Sequence, residues 1–256
     1  PGSRHTGTMV GRVKSAVAGC RRAGRAVVDG LFPQHCALCD RLSHRALALC
    51  EDCEDSLTFN HNGCPRCALP DTPAGGAPCP ACAGLAVDRI IAPLVYDSTL
   101  ATLLSRWKYR REVALTALFA GLWRAHAPPL LRPNRVLPMP LHWRRLWWRG
   151  FNQSERLAMA IMAGNPALAG TAVDRRLLRR HRSTGAQAQL GQRERAANVA
   201  GAFTTRGPCD NLHIAVVDDV CTTGATGDAV ARALKAAGAR RVDLWCIARA
   251  PATTQR

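Results

Sequence analysis

Eight of the twelve cysteines fall into four Cys-x-x-Cys pairs, Cys36/Cys39, Cys50/Cys53, Cys64/Cys67 and Cys79/Cys82, separated by short polar or Pro/Gly-rich stretches. This repetition constrains what the segment can become. Two thiolates two residues apart converge from one tight turn on a single ion, and a second such turn completes a tetrahedron with Zn–S near ~2.3 Å. Sequential pairing gives one site from Cys36, Cys39, Cys50 and Cys53 and another from Cys64, Cys67, Cys79 and Cys82; interleaved pairing is the alternative. A segment of about 50 residues has too little core to fold unaided, which is the physical reason for metal. Four sulfur ligands leave no open coordination position, so zinc here is expected to be structural. A disulfide framework and redox-active dithiols are the rival readings. His35, His44 and His61 lie nearby, but the full set of thiols favours solvated histidines. Cys20, Cys209, Cys221 and Cys246 have no partner at useful spacing and read as small buried or incidental residues.

An apolar fraction of 47% in 256 residues supports a packed core and argues against disorder. Arg, Asp or Pro interrupts every hydrophobic run before the roughly 18 apolar residues that a membrane span needs. The first 30 residues show no apolar core ending in a cleavage signature, so no secretory signal is read and a cytoplasmic protein is expected. Val10 to Leu31 alternates basic and apolar positions and reads as an amphipathic lead-in helix, with a surface-lying membrane role as the sharper alternative. Domain expectations are an N-terminal extension over 1–31, a double zinc-ribbon module over 32–86 and an α/β domain over 87–256.

The formal charge is +17, and eight thiolates around two zinc ions would lower it to +13. Between Leu130 and Arg206 stand 14 arginines against Glu155, Asp174 and Glu194, a net of +11. That block invites an anionic partner. With only Lys14, Lys108 and Lys235 as lysines, however, the Arg and Ala bias is also what a GC-rich genome would produce.

From Ile90 onward, short apolar runs alternate with helical periodicity, which predicts a mostly parallel sheet covered by helices. Expected strands are 90–96, 135–139, one within 174–180, 213–217 and 242–248. Expected helices are 98–109, 113–126, 153–163 and 225–237, with Asn152 and Glu155 as a capping box for the third. The run His213-Ile-Ala-Val-Val-Asp-Asp-Val-Cys-Thr-Thr-Gly-Ala-Thr226 takes a strand into two acids and a small, hydroxyl-rich turn before a helix. Such a turn lets backbone N–H groups approach a phosphate, the helix N-terminus adds partial positive charge, and Thr222, Thr223 and Thr226 add hydroxyl donors. Asp218 and Asp219 at the strand end can reach sugar hydroxyls or a Mg2+ bridging to a pyrophosphate.

Val216 to Thr226 resembles the phosphoribosyl-pyrophosphate signature of type I phosphoribosyltransferases. The resemblance implies that Asp218 and Asp219 face the ribose hydroxyls while Thr222, Thr223, Gly224, Ala225 and Thr226 enclose the 5′-phosphate. The fold it implies is a parallel sheet with helices on both faces. The likeness extends to the ComF competence-protein family, which joins zinc ribbons to this domain. Pro138 to Glu155 is similar to that family's signature segment, Arg180 to Gln187 to its substrate-closing loop, and Lys108-Tyr109 is a weaker third match. Arg144, Arg145 and Arg149 are then candidate pyrophosphate ligands, because guanidinium forks match phosphate oxygens. Trp143, Trp147 and Trp148 could stack on bases beside them, but the large area of Trp favours a core or interface position.

The ComF resemblance implies a factor for natural transformation that handles single-stranded DNA and uses phosphoribosyl pyrophosphate with Mg2+ as ligand or substrate. The alternatives are a working phosphoribosyltransferase in nucleotide salvage, for which no base pocket is recognisable, and a non-catalytic sensor of the same ligand.

Overall fold

The computed structural model describes residues 34–72, 77–141, 146–147, 150–181 and 201–252. The expected lead-in helix lies outside them. The chain divides into two compact units, which meet in sequence between Glu54 and Asp55.

In the first unit, Cys36 N–H donates to Arg41 O and Asp40 N–H to Cys36 O, closing a tight loop in which Asp40 takes a left-handed φ of 62°. A short helix, α1 (Glu51–Asp55), carries the second pair of thiols, and its first turn is acidic, as the helix dipole favours. Glu54 is buried against Arg45.

The second unit is built on a five-stranded parallel sheet in the order β1 (Arg89–Ile91), β9 (Arg241–Trp245), β7 (His213–Val217), β3 (Arg135–Pro138) and β4 (Ala172–Val173). Every residue of β7 is buried, the pattern of a central strand covered on both faces. A further parallel sheet joins β2 (Leu94–Val95), β10 (Ala248–Arg249) and β8 (Val220–Cys221). It prolongs the first, since β1, β9 and β7 each resume after a two-residue break. The sequence predicts unbroken strands over 90–96 and 242–248, and the breaks have local causes. Pro93 has no N–H to give. Between β7 and β8 the acids draw backbone donors out of the ladder, with Asp219 N–H on Asp218 Oδ1 at 2.9 Å and Val220 N–H on Asp219 Oδ1 at 2.6 Å.

Helix α2 (Ser98–Tyr109) starts where Asp97 accepts from Leu100 N–H at 2.8 Å, as an N-cap should. Helix α3 (Leu115–His126) buries Leu115, Leu118, Phe119, Leu122 and Trp123, side chains worth about 1.5–3 kcal/mol each. Helix α4 (Gln153–Ala163) is capped by Asn152, whose Oδ1 accepts from Ser154 N–H and whose Nδ2 donates to Met139 O. Glu155 does not close a capping box but pairs with Arg175 at 2.8 Å. Helix α5 (Ala225–Ala236) follows the threonine turn. The strand expected within 174–180 narrows to β5 (Leu178–Arg180), which pairs antiparallel with β6 (Phe203–Thr205). Neither β4 nor β6 is signalled by the sequence, because two or three residues carry too little periodicity.

Asp243 is buried in β9 and satisfied from two sides, by His213 Nε2 at 2.9 Å and Arg241 Nε at 2.9 Å. Pairing of this kind is what lets a carboxylate sit inside a sheet. Among the described residues, no helix is long and apolar enough to cross a membrane.

Candidate functional site

The thiols gather into two sets in sequential pairing, Cys36, Cys39, Cys50 and Cys53 in one and Cys64, Cys67, Cys79 and Cys82 in the other. Within each set every sulfur lies within 4.8 Å of the others. Cys39 and Cys50 are 3.7 Å apart, Cys64 and Cys82 4.0 Å, and Cys67 and Cys79 3.4 Å. A tetrahedron of Zn–S bonds has edges of about 3.8 Å, so both sets fit a zinc ion. The local turns are alike. Ala68, like Asp40, follows the second cysteine of its pair in a left-handed φ, here 53°, and Cys64 N–H reaches Leu69 O as Cys36 N–H reaches Arg41 O. Burial pushes the Cys36 and Cys64 thiols up, but backbone N–H groups from their own loops and from Cys50 and Cys79 in the partner pairs outweigh it and hold both down at about 6. His35 Nδ1–H donates to Asp40 O at 2.7 Å and His61 packs near Phe59, so neither histidine joins a sulfur set.

At the carboxyl end of the sheet, Asp218 and Asp219 occupy the break between β7 and β8. Ser154 Oγ donates to Asp218 Oδ1 at 3.1 Å, and Lys108 Nζ stands 2.6 Å from Asp219 Oδ2. Burial and the neighbouring Asp219 charge raise the Asp218 carboxyl to about 7, against the pull of the Asp219 N–H, Lys108 and Ser154. Gly224 caps α5 at a φ of 83°, a left-handed conformation that a side chain would strain. Thr223 Oγ1 accepts from Ala225 N–H at 3.3 Å. Asp218, Thr222, Gly224, Ala225 and Thr226 line a hollow of about 30 Å³. Amides turned into such a hollow at a helix N-terminus favour a negatively charged group.

Of the residues expected here, Asp218, Asp219 and Thr222 to Thr226 come together. Arg144, Arg145 and Arg149, with Trp143 and Trp148, lie outside the described residues, as does the Arg180 to Gln187 stretch beyond His181. Trp147 is 85% exposed, against the core or interface position expected of it. Cys209, Cys221 and Cys246 are buried as expected, but the last two are hydrogen-bonded to each other, which lowers Cys221, while burial pushes Cys246 up. Ser154 was not legible as a partner of Asp218. Its signal is position, the first turn of a helix entered from Pro138 to Glu155. Lys108 had a second signal, its rarity as one of three lysines in an Arg-rich chain.

A double zinc ribbon domain matches residues 27–83, a span that contains all eight paired cysteines. The DNA utilization protein YhgH of Salmonella typhi is 33% identical over 232 residues, covering 85% of this chain and 97% of that protein. Competence protein F of Haemophilus influenzae is 27% identical over 64% of this chain and 73% of its own length. Competence protein ComFC of Streptococcus pneumoniae is 26% identical over 78% of this chain and 87% of its own length. With an identity of one third across nearly the whole Salmonella protein, and the double zinc ribbon and α/β sheet described above, the chain belongs to the ComF family.

Proposed function

We propose that this chain binds phosphoribosyl pyrophosphate with Mg2+ at Asp218 to Thr226 and handles incoming single-stranded DNA in natural transformation. The observation that carries the ligand assignment is the strand break itself. It holds two carboxylates side by side at the end of the sheet, next to a glycine-capped turn with three threonine hydroxyls at a helix N-terminus. That combination suits a ligand with pentose hydroxyls at one end and a phosphate at the other. In this reading Lys108 and Ser154 hold the acids in place, and the pyrophosphate falls to Arg144, Arg145 and Arg149. The DNA role is supported by the relatives named for DNA utilization and competence and by the net +11 between Leu130 and Arg206.

Calorimetric titration with phosphoribosyl pyrophosphate tests the first part. Binding is expected with Mg2+, weakened at least about tenfold by Asp218→Asn or Asp219→Asn, with zinc content unchanged. Equal binding by both variants rejects the assignment. Single-stranded DNA affinity is expected to fall steeply between low and moderate salt; salt-independent or absent binding rejects the DNA part. A second reading, turnover as a phosphoribosyltransferase, rests on the same acids and is tested by pyrophosphate release with a panel of acceptors.

A further inference from the structure

The second set of cysteines is wired to the threonine turn through a buried arginine. Arg249, at the end of β10, is only 7% exposed, and no carboxylate among the described residues forms an ion pair with it. Its Nε donates to Cys67 O at 3.1 Å, and its Nη1 to Cys221 O at 3.1 Å and to Ala250 O at 3.3 Å. One guanidinium therefore grips the carbonyl of a sulfur ligand on one side and the entrance of the turn on the other. The neighbouring carbonyls of the cysteine loop are also held, one by strand β1 and one by Asn60, which donates to Ala92 O as well at 3.1 Å. Arg66 O accepts from Ile90 N–H at 2.7 Å and Ala68 O from Asn60 Nδ2 at 2.7 Å. Ile90 in turn lies 3.9 Å from where a Cβ on Gly224 would stand. On the other side, Asp228 in the first turn of α5 accepts from Ala86 N–H just beyond Cys82, and Arg232 reaches Gly84 O at 2.9 Å.

Electrostatics point the same way. A buried cation without a carboxylate partner is costly unless other negative charge compensates it. A zinc ion with four thiolates carries a net charge of −2, and the phosphate end of the ligand proposed above is also anionic. Arg249 stands between the two.

We infer that Arg249 is a positioning residue that links the site of Cys64, Cys67, Cys79 and Cys82 to the Asp218–Thr226 turn. Metal at the one and sugar phosphate at the other then strengthen each other's binding. The inference rests on the proposed phosphoribosyl-pyrophosphate reading. Linkage of this kind is reciprocal, so it can be read from the metal or from the ligand. Zinc release to a chromophoric chelator, followed on the full chain in excess Mg2+, is expected to show one phase slowed about tenfold by phosphoribosyl pyrophosphate and one phase unchanged. Inorganic pyrophosphate alone serves as the control for chelation by the ligand. Arg249→Met and the charge-preserving Arg249→Lys are expected to retain two zinc ions by native mass spectrometry, to bind the ligand about tenfold more weakly and to lose the slowing. Ligand binding by the wild-type chain with both phases unaltered overturns the linkage and leaves the ligand assignment standing. Slowing that persists in Arg249→Met overturns the role of Arg249. No binding by the wild-type chain overturns both. The wild-type measurement decides the linkage even where a variant fails to fold.

Discussion

The two four-cysteine sites share one local geometry and differ in what surrounds it. Both open with a Cys-x-x-Cys loop followed by a residue in the left-handed region. Around the first site, Cys39 is exposed and its neighbours Arg41 and Asp52 pair with each other in solvent. The carbonyl of Asp40 is met by His35, a residue of the same loop. Around the second, Cys64, Cys67 and Cys82 are at most 2% exposed and belong to the same core as Val230, Leu234, Val242 and Leu244. The carbonyl of Ala68, which corresponds to that of Asp40, is met by Asn60, and those of Arg66 and Cys67 by Ile90 and Arg249. A Cys-x-x-Cys loop thus serves in one place as a staple for a short segment and in the other as part of the wall of the α/β core. The metal is expected to have correspondingly different reach.

Losing a ligand at each site breaks the comparison most directly. Cys67→Ser should destabilise the whole second unit, by at least about 3 kcal/mol, because removing the metal leaves buried polar groups facing the core. Trp107, Trp123 and Trp245 are buried in that unit, so urea unfolding followed by their fluorescence reports on it. Cys39→Ser should release one zinc ion and leave that transition in place. Equal losses from both variants would show that the sites are energetically alike despite their surroundings.

How much of this was legible in the sequence depends on how local each feature is. The thiol sets, the strand from His213 to Val217 and the helices 98–109 and 153–163 each depend on spacing within one short stretch, and each is where its residues put it. Asn152 works as a cap because capping is a contact between near neighbours. The contacts that define the site were not legible. Ser154 meets Asp218 across 64 positions, Arg249 meets Cys67 across 182, and Asp228 meets Ala86 across 142. Only the packing of the sheet brings these together, and no periodicity encodes it. The strand breaks fall between these cases, since Pro93 and the paired acids were in view but their effect on the ladder depends on neighbouring strands.

A second effect separates the threonine turn from the cysteine sites. Asp218 holds its proton to about pH 7 in the folded chain, whereas an unfolded aspartate releases it near ~3.9. The folded state's disadvantage from this carboxyl therefore grows as pH rises between those values and is complete above pH 7. Asp218→Asn should stabilise the ligand-free chain by up to about 4 kcal/mol at pH 8, with the gain vanishing toward pH 4. Melting temperatures across that range provide the measurement. By the same linkage, phosphoribosyl pyrophosphate with Mg2+ should bind the wild-type chain more tightly at pH 8 than at pH 6, because a carboxylate is the form that accepts from ribose hydroxyls or ligates the ion. A variant that melts lower at pH 8 would mean that Lys108 and the backbone amides stabilise the charge more than burial opposes it.

The smallest contrast compares one polar anchor from each site. Asp228 is largely buried, with Ala86 N–H on one carboxylate oxygen and Arg232 Nε at 2.9 Å on the other, and so fixes the chain beyond Cys82 to α5. Asp228→Ala should cost about 1–2 kcal/mol, since the Ala86 donor loses its acceptor in a partly buried position. The Arg41–Asp52 pair at the first site spans 3.3 Å between side chains that are both mostly exposed, where water and salt compete with the attraction. Arg41→Ala should leave the unfolding midpoint of the second unit and the zinc stoichiometry unchanged. If Arg41→Ala accelerated zinc loss while Asp228→Ala did not, the difference between the two sites would lie in the charges near the thiolates, and burial in the core would not be what sets it.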